Sequence, residues 1–271
     1  MSWTRILAPL TGAPGDAQTL ETTAALAAPF DATLGVVFAP ADAADLMPWM
    51  GEGLMGGVQM AALDSMKQAA EEGEKAARAR FDALDYAKKD FTVLQSPVWA
   101  CLCMEARLSD AVVFGADPAR GRGPLVEAFQ QILMEERRPV FVGRSVPDPI
   151  LPVAVAWDGG KEASRAAREA IPWLCKSPDV AVLVAPSATP RTFEPQRLVD
   201  YLTAHGVKAR LETIAGSGEA GPMLLEGARS MGAGLLVAGA FGHPRFQQFI
   251  FGGATRTLLQ AESAPSLFLS H

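Results

Sequence analysis

Apolar residues along this chain gather in short runs that end in glycine or a polar residue. Between the runs they recur every three or four positions. The first pattern predicts buried strands, the second helices lying against them. Residues 5–10 form such a run, closed by Thr11-Gly12, and Asp16 is placed to cap the helical stripe Leu20, Thr23, Ala24 and Ala27. Residues 32–38 predict a second strand. Residues 47–60 read as a glycine-rich loop whose methionines and Trp49 make an adaptable apolar surface. Leu63, Met66, Ala70, Ala77, Phe81 and Leu84 then mark an amphipathic helix on the sheet. Strands at 91–94, 111–115 and 139–142, with helices over 99–108 and around Leu125 to Leu133, complete this set.

Pro147, Asp148 and Pro149 form a stiff break, and then the plan restarts. A strand at 152–157 is closed by Asp158-Gly159. A helix over 161–174, a strand at 180–184, a shorter helix with Leu198 and Leu202, and a strand at 209–213 follow. A helix over 223–229 leads to a strand at 235–239, then a loop, a last helix and a strand at 266–269. Alternating strands and helices imply a mostly parallel sheet with right-handed crossovers.

Set side by side, the two sets share their landmarks. Leu10-Thr11-Gly12 matches Trp157-Asp158-Gly159, Val113-Phe114-Gly115 matches Val237-Ala238-Gly239, and Arg138-Pro139 matches Ala264-Pro265. The fold class is therefore α/β, two tandem Rossmann-like domains, each a five-stranded mostly parallel sheet flanked by helices. The expected boundaries are 1–146 and 150–271.

The copies differ where chemistry would sit. In the second, the run ending at Gly239 is followed by Gly242 and, after a polar loop, by Gly252-Gly253 opening a helix with Thr255. Free N–H groups and the positive end of the helix dipole there suit a phosphate. Glycine at 239 and 242 would let the backbone approach an anion closely. In the first copy Pro118 stands for Gly242, and Val126-Glu127 stands for Gly252-Gly253. Proline has no N–H to donate and Glu127 brings a carboxylate, so the first copy is expected to have lost the site. The bland alternative is that these glycines serve only tight turns and close helix–strand packing.

Composition narrows the classes. The formal charge is −6, which gives no footprint for nucleic acid or an anionic membrane. Residues 1–147 carry 13 basic and 19 acidic side chains and residues 148–271 carry 11 of each, so the first half holds the whole excess. Cys101, Cys103 and Cys175 make neither a disulfide framework nor a zinc site and read as small buried side chains. No stretch approaches the roughly 18 apolar residues of a membrane span, and a cytoplasmic location is expected.

Gly239-x2-Gly242-x9-Gly252 with Thr255, together with the strand-end Asp158-Gly159, resembles the ATP-binding signature of the universal stress protein family. The likeness covers essentially the whole chain and is to the tandem two-domain form, of the adenine nucleotide alpha hydrolase-like class. Gly253 stands where that family places a hydroxyl residue, and Thr255 matches a second hydroxyl position. The resemblance implies ATP, with or without Mg²⁺, in the second domain. Trp157, Asp158, Gly159 and Val184 would flank adenine and ribose. Ala238, Gly239 and Gly242 would line the cleft, and Gly252, Gly253, Ala254 and Thr255 would hold the phosphates.

Other classes remain open. An enzyme lacks support from a Gly-x-Ser-x-Gly elbow, a Gly-x4-Gly-Lys-Ser/Thr loop or metal-ligand spacing at His205, His243 and His271. A slow ATPase is the furthest catalytic reading. A nucleotide-independent interaction protein would use the 47–60 loop or a sheet edge towards an unknown protein partner. Pairing by the strand at 266–269 would join the halves as an intrachain pseudo-dimer, with a homodimer of whole chains left open. Arg256 and His243 are read as solvent-facing.

Overall fold

The computed structural model describes residues 2–41, 56–186, 194–242 and 253–271, with side chains in the second helix from Ala61 onward. The first half runs β1 (Arg5–Leu10), α1 (Asp16–Ala27), β2 (Thr33–Phe38), α2 (Gly56–Ala83), β3 (Lys89–Val93), α3 (Val98–Arg107), β4 (Ala111–Phe114), α4 (Ala116–Ala119), α5 (Val126–Met134) and β5 (Val140–Val142). The second runs β6 (Val153–Ala156), α6 (Lys161–Glu169), α7 (Ile171–Leu174), β7 (Val180–Val184), α8 (Gln196–Ala204), β8 (Ala209–Thr213), α9 (Ala220–Ser230), β9 (Leu235–Gly239), α10 (Gly253–Gln260) and β10 (Ser266–Ser270). The inner strands β4, β6 and β7 are buried on both faces, which is why they read as continuous apolar runs. β8 lies at an edge and has no fully buried residue.

Among the described residues ten strands form one sheet, ordered β3-β2-β1-β4-β5-β10-β9-β6-β7-β8. Every neighbouring pair is parallel except β5 and β10, where Leu267 faces Val142, Phe268 faces Phe141 and Leu269 faces Val140. The order on one side of that seam is the mirror of the other, so the halves relate as two copies about a local twofold. Two of the buried clusters span both halves, and a third, with Leu10, Leu34 and Phe38, lies within the first. One cluster joins Leu7 and Val112 to Ala154 and Leu236, and another joins Ile6 and Val113 to Val155 and Val237. Aromatic rings reinforce the seam: Trp3 lies 5.7 Å from Phe268 and 5.0 Å from Phe30, and Phe30 lies 6.3 Å from Trp173.

Five sequence expectations are corrected. Asp16 does not cap α1; the helix starts from Gly15 without a side-chain cap, and the Asp16 carboxylate turns back to the β1–α1 loop. Residues 56–60 of the expected loop are helical and begin α2, while 42–55 lie outside the described residues. Leu63 stays exposed, so α2 packs through its later turns, at Gly73, Ala77 and Phe81. The single helix expected over 161–174 is broken into α6 and α7, with Pro172 in the first turn of α7, where its missing N–H costs nothing. Of the cysteines only Cys103 is buried; Cys175 is exposed. Among the described residues no helix is long and apolar enough to cross a membrane.

Candidate functional site

In each half the chain leaves the first strand in one direction and the fourth in the other, so a crevice opens at the carboxyl ends of those two neighbours. This is where open α/β sheets place ligands. In the second half the neighbours are β6 and β9, paired through Val155 and Val237. Their loops carry Asp158-Gly159-Gly160 and Ala240-Phe241-Gly242.

Asp158 follows β6 and is exposed. Its Oδ1 accepts the Gly160 N–H at 2.7 Å, and Gly159 between them takes φ +86°, a conformation that favours glycine. One carboxylate oxygen is thus used to shape the loop and the other is available to a ligand. Trp157 is half-buried against the core, and its indole N–H lacks a hydrogen-bond partner among the described residues. Val184 and Ala238 are core residues: Val184 packs with Val155 and Val182, and its carbonyl accepts the Ile214 N–H at 2.9 Å. Only backbone at these two positions can reach a ligand.

The loop after β9 presses on the start of α6. A Cβ built on Gly239 would lie 2.6 Å from the carbonyl carbon of Glu162 and against the Ala163 nitrogen, so Gly239 is there for close helix–strand packing. Phe241 adopts φ +59°, and its N–H is directed at the Thr255 hydroxyl, 3.4 Å away. That contact draws the β9 loop to the first turn of α10, which holds Gly253, Ala254 and Thr255. Gly253 is exposed with open space around it, and Ala254 backs onto Gly221 of α9. Gly252 and His243 lie outside the described residues. Arg256 is exposed, and His271 places Nδ1 2.9 Å from the Ala240 carbonyl.

Sequence reading missed one residue here. Glu162, in the first turn of α6, is only 5% exposed, and a Cβ on Gly242 would fall 2.6 Å from its Oε2. Its Oε1 forms an ion pair with the exposed Lys161 ammonium at 3.3 Å and has no hydrogen-bond partner among the described residues. The available signal was a carboxylate on the buried stripe of α6, in register with Ala163, Ala166 and Ala167.

The first half shows what the same crevice looks like when the chain fills it. Asp16 accepts the Thr11 N–H at 3.2 Å and the Gly12 N–H at 2.7 Å, with Arg80 of α2 3.9 Å away. Burial still pushes the Asp16 carboxyl above its ordinary range, opposed by those hydrogen bonds. α2 covers the loop, since a Cβ on Gly12 would lie 2.9 Å from the Gly73 carbonyl oxygen and one on Gly73 3.3 Å from that of Thr11. Pro118 sits inside the short α4, and Glu127 is exposed near Pro40 and Trp99.

The far end of α10 is held by the first half. Arg144 donates to the Leu258 carbonyl at 2.6 Å, to Leu259 at 3.0 Å and to Pro265 at 3.2 Å, while Arg120 donates to Ala261 at 3.0 Å. Cations suit the negative end of a helix dipole. Burial, with Arg120 close by, lowers the Arg144 guanidinium to about 10.

Chemically, the crevice offers backbone donors at the start of α10, an outward carboxylate oxygen at Asp158 and a buried carboxylate at Glu162. Among the described residues no group of three His, Cys, Asp or Glu side chains is arranged to hold a metal ion unaided. A helix N-terminus suits an anionic group, and a strand-end carboxylate can accept from a hydroxyl or an amino group.

Solved structures share this architecture. A universal stress protein from Archaeoglobus fulgidus DSM 4304 matches with a TM-score of 0.68 at 16% identity, over 99% of this chain and 96% of that one. A candidate universal stress protein from Pseudomonas aeruginosa UCBPP-PA14 matches with a TM-score of 0.55 at 14% identity, over 99% and 93%. A functionally unknown protein from Pseudomonas aeruginosa PAO1 matches with a TM-score of 0.55 at 11% identity, over 99% and 92%. No protein-family model matches the chain, and no curated protein matches it in sequence. The chain has the fold of a universal stress protein at tandem length.

Proposed function

We propose that the protein is a universal stress response protein that binds one adenine nucleotide, ATP, in its second half, with little or no catalysis. The observation that carries this reading is the contrast between two equivalent crevices. In the first half the strand-end amides are taken by Asp16 and roofed by α2. In the second the corresponding loops leave an outward carboxylate oxygen at Asp158 and a helix N-terminus at Gly253. No described side chain is set against the phosphate end as a general base with its own orienting partner, which argues for a binder.

Thermal unfolding with millimolar ATP and Mg²⁺ tests the reading, because a ligand bound only to the folded state raises the melting temperature. A rise of a few degrees is expected for the native chain. It should shrink in Gly242→Val, whose side chain would collide with Glu162 and crowd the loop. No rise at millimolar nucleotide would turn the assignment to a nucleotide-independent interaction protein. Phosphate release followed over hours separates a binder from a slow hydrolase.

A further inference from the structure

We infer that the outer edge of β8 is a self-pairing surface, on which a second copy of this chain docks antiparallel about Leu211. β8 is the last strand of the sheet and pairs only with β7 among the described residues. At the two ends of that ladder the Val180 N–H donates to the Lys208 carbonyl at 3.0 Å, and the Ile214 N–H donates to the Val184 carbonyl at 2.9 Å. Backbone groups alternate in direction along a strand, so Arg210 and Glu212 turn theirs to β7 while Leu211 and Thr213 turn theirs outward. Among the described residues none hydrogen-bonds the outward backbone groups of Leu211 or Thr213, and both residues are exposed. Leu211 is 37% exposed, a large apolar side chain at the middle of an open edge.

An edge of this kind is a template for another strand, and charged side chains ordinarily guard it. On β8 the charges favour one partner instead. A twofold axis at Leu211 lets the two Leu211 residues exchange both backbone hydrogen bonds and brings each Thr213 N–H to the Ala209 carbonyl opposite. Arg210 then stands directly opposite Glu212 of the second copy, twice, at the non-hydrogen-bonded positions where side chains come closest. Within one chain Arg210 already pairs with Glu212 and with Asp179, the latter at 3.0 Å, and all three side chains keep contact with solvent. Pairing across the axis extends that network without burying an isolated charge. Sliding the register by two residues either way would set Arg210 against Arg210 or Glu212 against Glu212, so the charges also fix the register.

The opposite edge of the sheet supplies the control. β3 (Lys89–Val93) also turns its odd-numbered residues outward, since the Leu34 N–H donates to the Lys88 carbonyl and the Leu94 N–H to the Phe38 carbonyl. A twofold at Phe91 would set Asp90 against Thr92 and Lys89 against Val93, which are not complementary. Asp90 is already held by Arg5 at 2.6 and 2.9 Å. Self-complementarity therefore belongs to β8 and not to sheet edges of this chain in general.

Sedimentation velocity of the full chain tests this. Two five-residue strands make a small contact, so a weak dimer is expected, with Kd on the order of 50 μM. The native chain should sediment as a monomer at about 5 μM and mainly as a dimer at about 500 μM. Arg210→Glu and Glu212→Arg each set like charges opposite and should weaken the dimer at least about tenfold. An equimolar mixture of these two variants restores opposite charges across the axis and should dimerise again. A chain carrying both exchanges should dimerise as the native chain does, which keeps the test open where a single variant folds poorly. A native chain that stays monomeric at about 500 μM overturns the proposal. So does a dimer that both single variants retain, or a mixture and a doubly exchanged chain that both remain monomeric.

Discussion

Gly239 and Gly242, three residues apart, do different work. At Gly239 any side chain would strike the backbone of Glu162 and Ala163, which belong to a packed helix and cannot swing aside. Gly239→Ala is therefore expected to lower stability by about 1–3 kcal/mol whether or not ligand is present, measured by urea unfolding. At Gly242 the obstacle is the end of the Glu162 side chain, so the effect should fall on ligand binding more than on stability. Both glycines were visible in the sequence, but spacing alone does not separate a packing contact from an anion contact. Glu162 went unread for a related reason: within an alanine-rich helical stripe a glutamate looks like a solvated position until the neighbouring strand is known. Thiol chemistry gives a second check at this scale. Burial pushes the Cys103 thiol up to about 11, so Cys175 should react with an aromatic disulfide reagent at pH 8 well before Cys103. Glu169 is also raised, chiefly by burial and against the Ser270 hydroxyl that donates to it at 2.6 Å. Its proton is held more tightly in the folded state, so its ionised form weakens the fold. Stability should thus fall as pH rises from the unfolded-state value near 4.5 through the higher folded value. In paired thermal melts Glu169→Gln should gain on the native protein at pH 7 relative to pH 5.

Among the elements, the strands were the most legible. β6, β7 and β9 are buried on both faces, and a doubly covered parallel strand must be apolar throughout. The helices were harder, because their limits depend on contacts far along the chain. Gly56–Met60 looks like a loop by composition, yet it is the first turn and more of a 28-residue helix. The break between α6 and α7 follows from Pro172, which was in plain view but inside a strong apolar pattern. Asp16 has the sequence signature of a cap and instead fills a loop, a choice settled by the amides of Thr11 and Gly12. The C-terminal end of α10 is fixed by Arg144 and Arg120 from the other half, a contact no local pattern encodes. Arg144→Ala removes three charge-assisted hydrogen bonds to carbonyls at once. It is expected to cost about 3 kcal/mol, and Arg144→Lys should recover only part of it. Chemical denaturation of the two variants checks this.

The described strands form one sheet whose centre is the β5–β10 seam. Phe141 and Phe268 face each other there and are fully buried, with Trp3 stacked on Phe268 from the first half. Because the cores run along the faces of the sheet and cross the seam, heating should give one cooperative calorimetric transition rather than two. Phe268→Ala should lower its midpoint markedly, the cost of such a cavity being about 3–5 kcal/mol. The repeat was legible because both halves keep the same strand-end landmarks; the covering of the first crevice by α2 was not, since it depends on where a long helix comes to rest. That asymmetry leads to the central claim of a single nucleotide site in the second half. Calorimetric titration of the intact chain with ATP and Mg²⁺ tests it most directly. About one site per chain is expected, with affinity reduced in Asp158→Ala and unchanged in Asp16→Asn. Two equivalent sites, or an isotherm without heat at millimolar nucleotide, would contradict it.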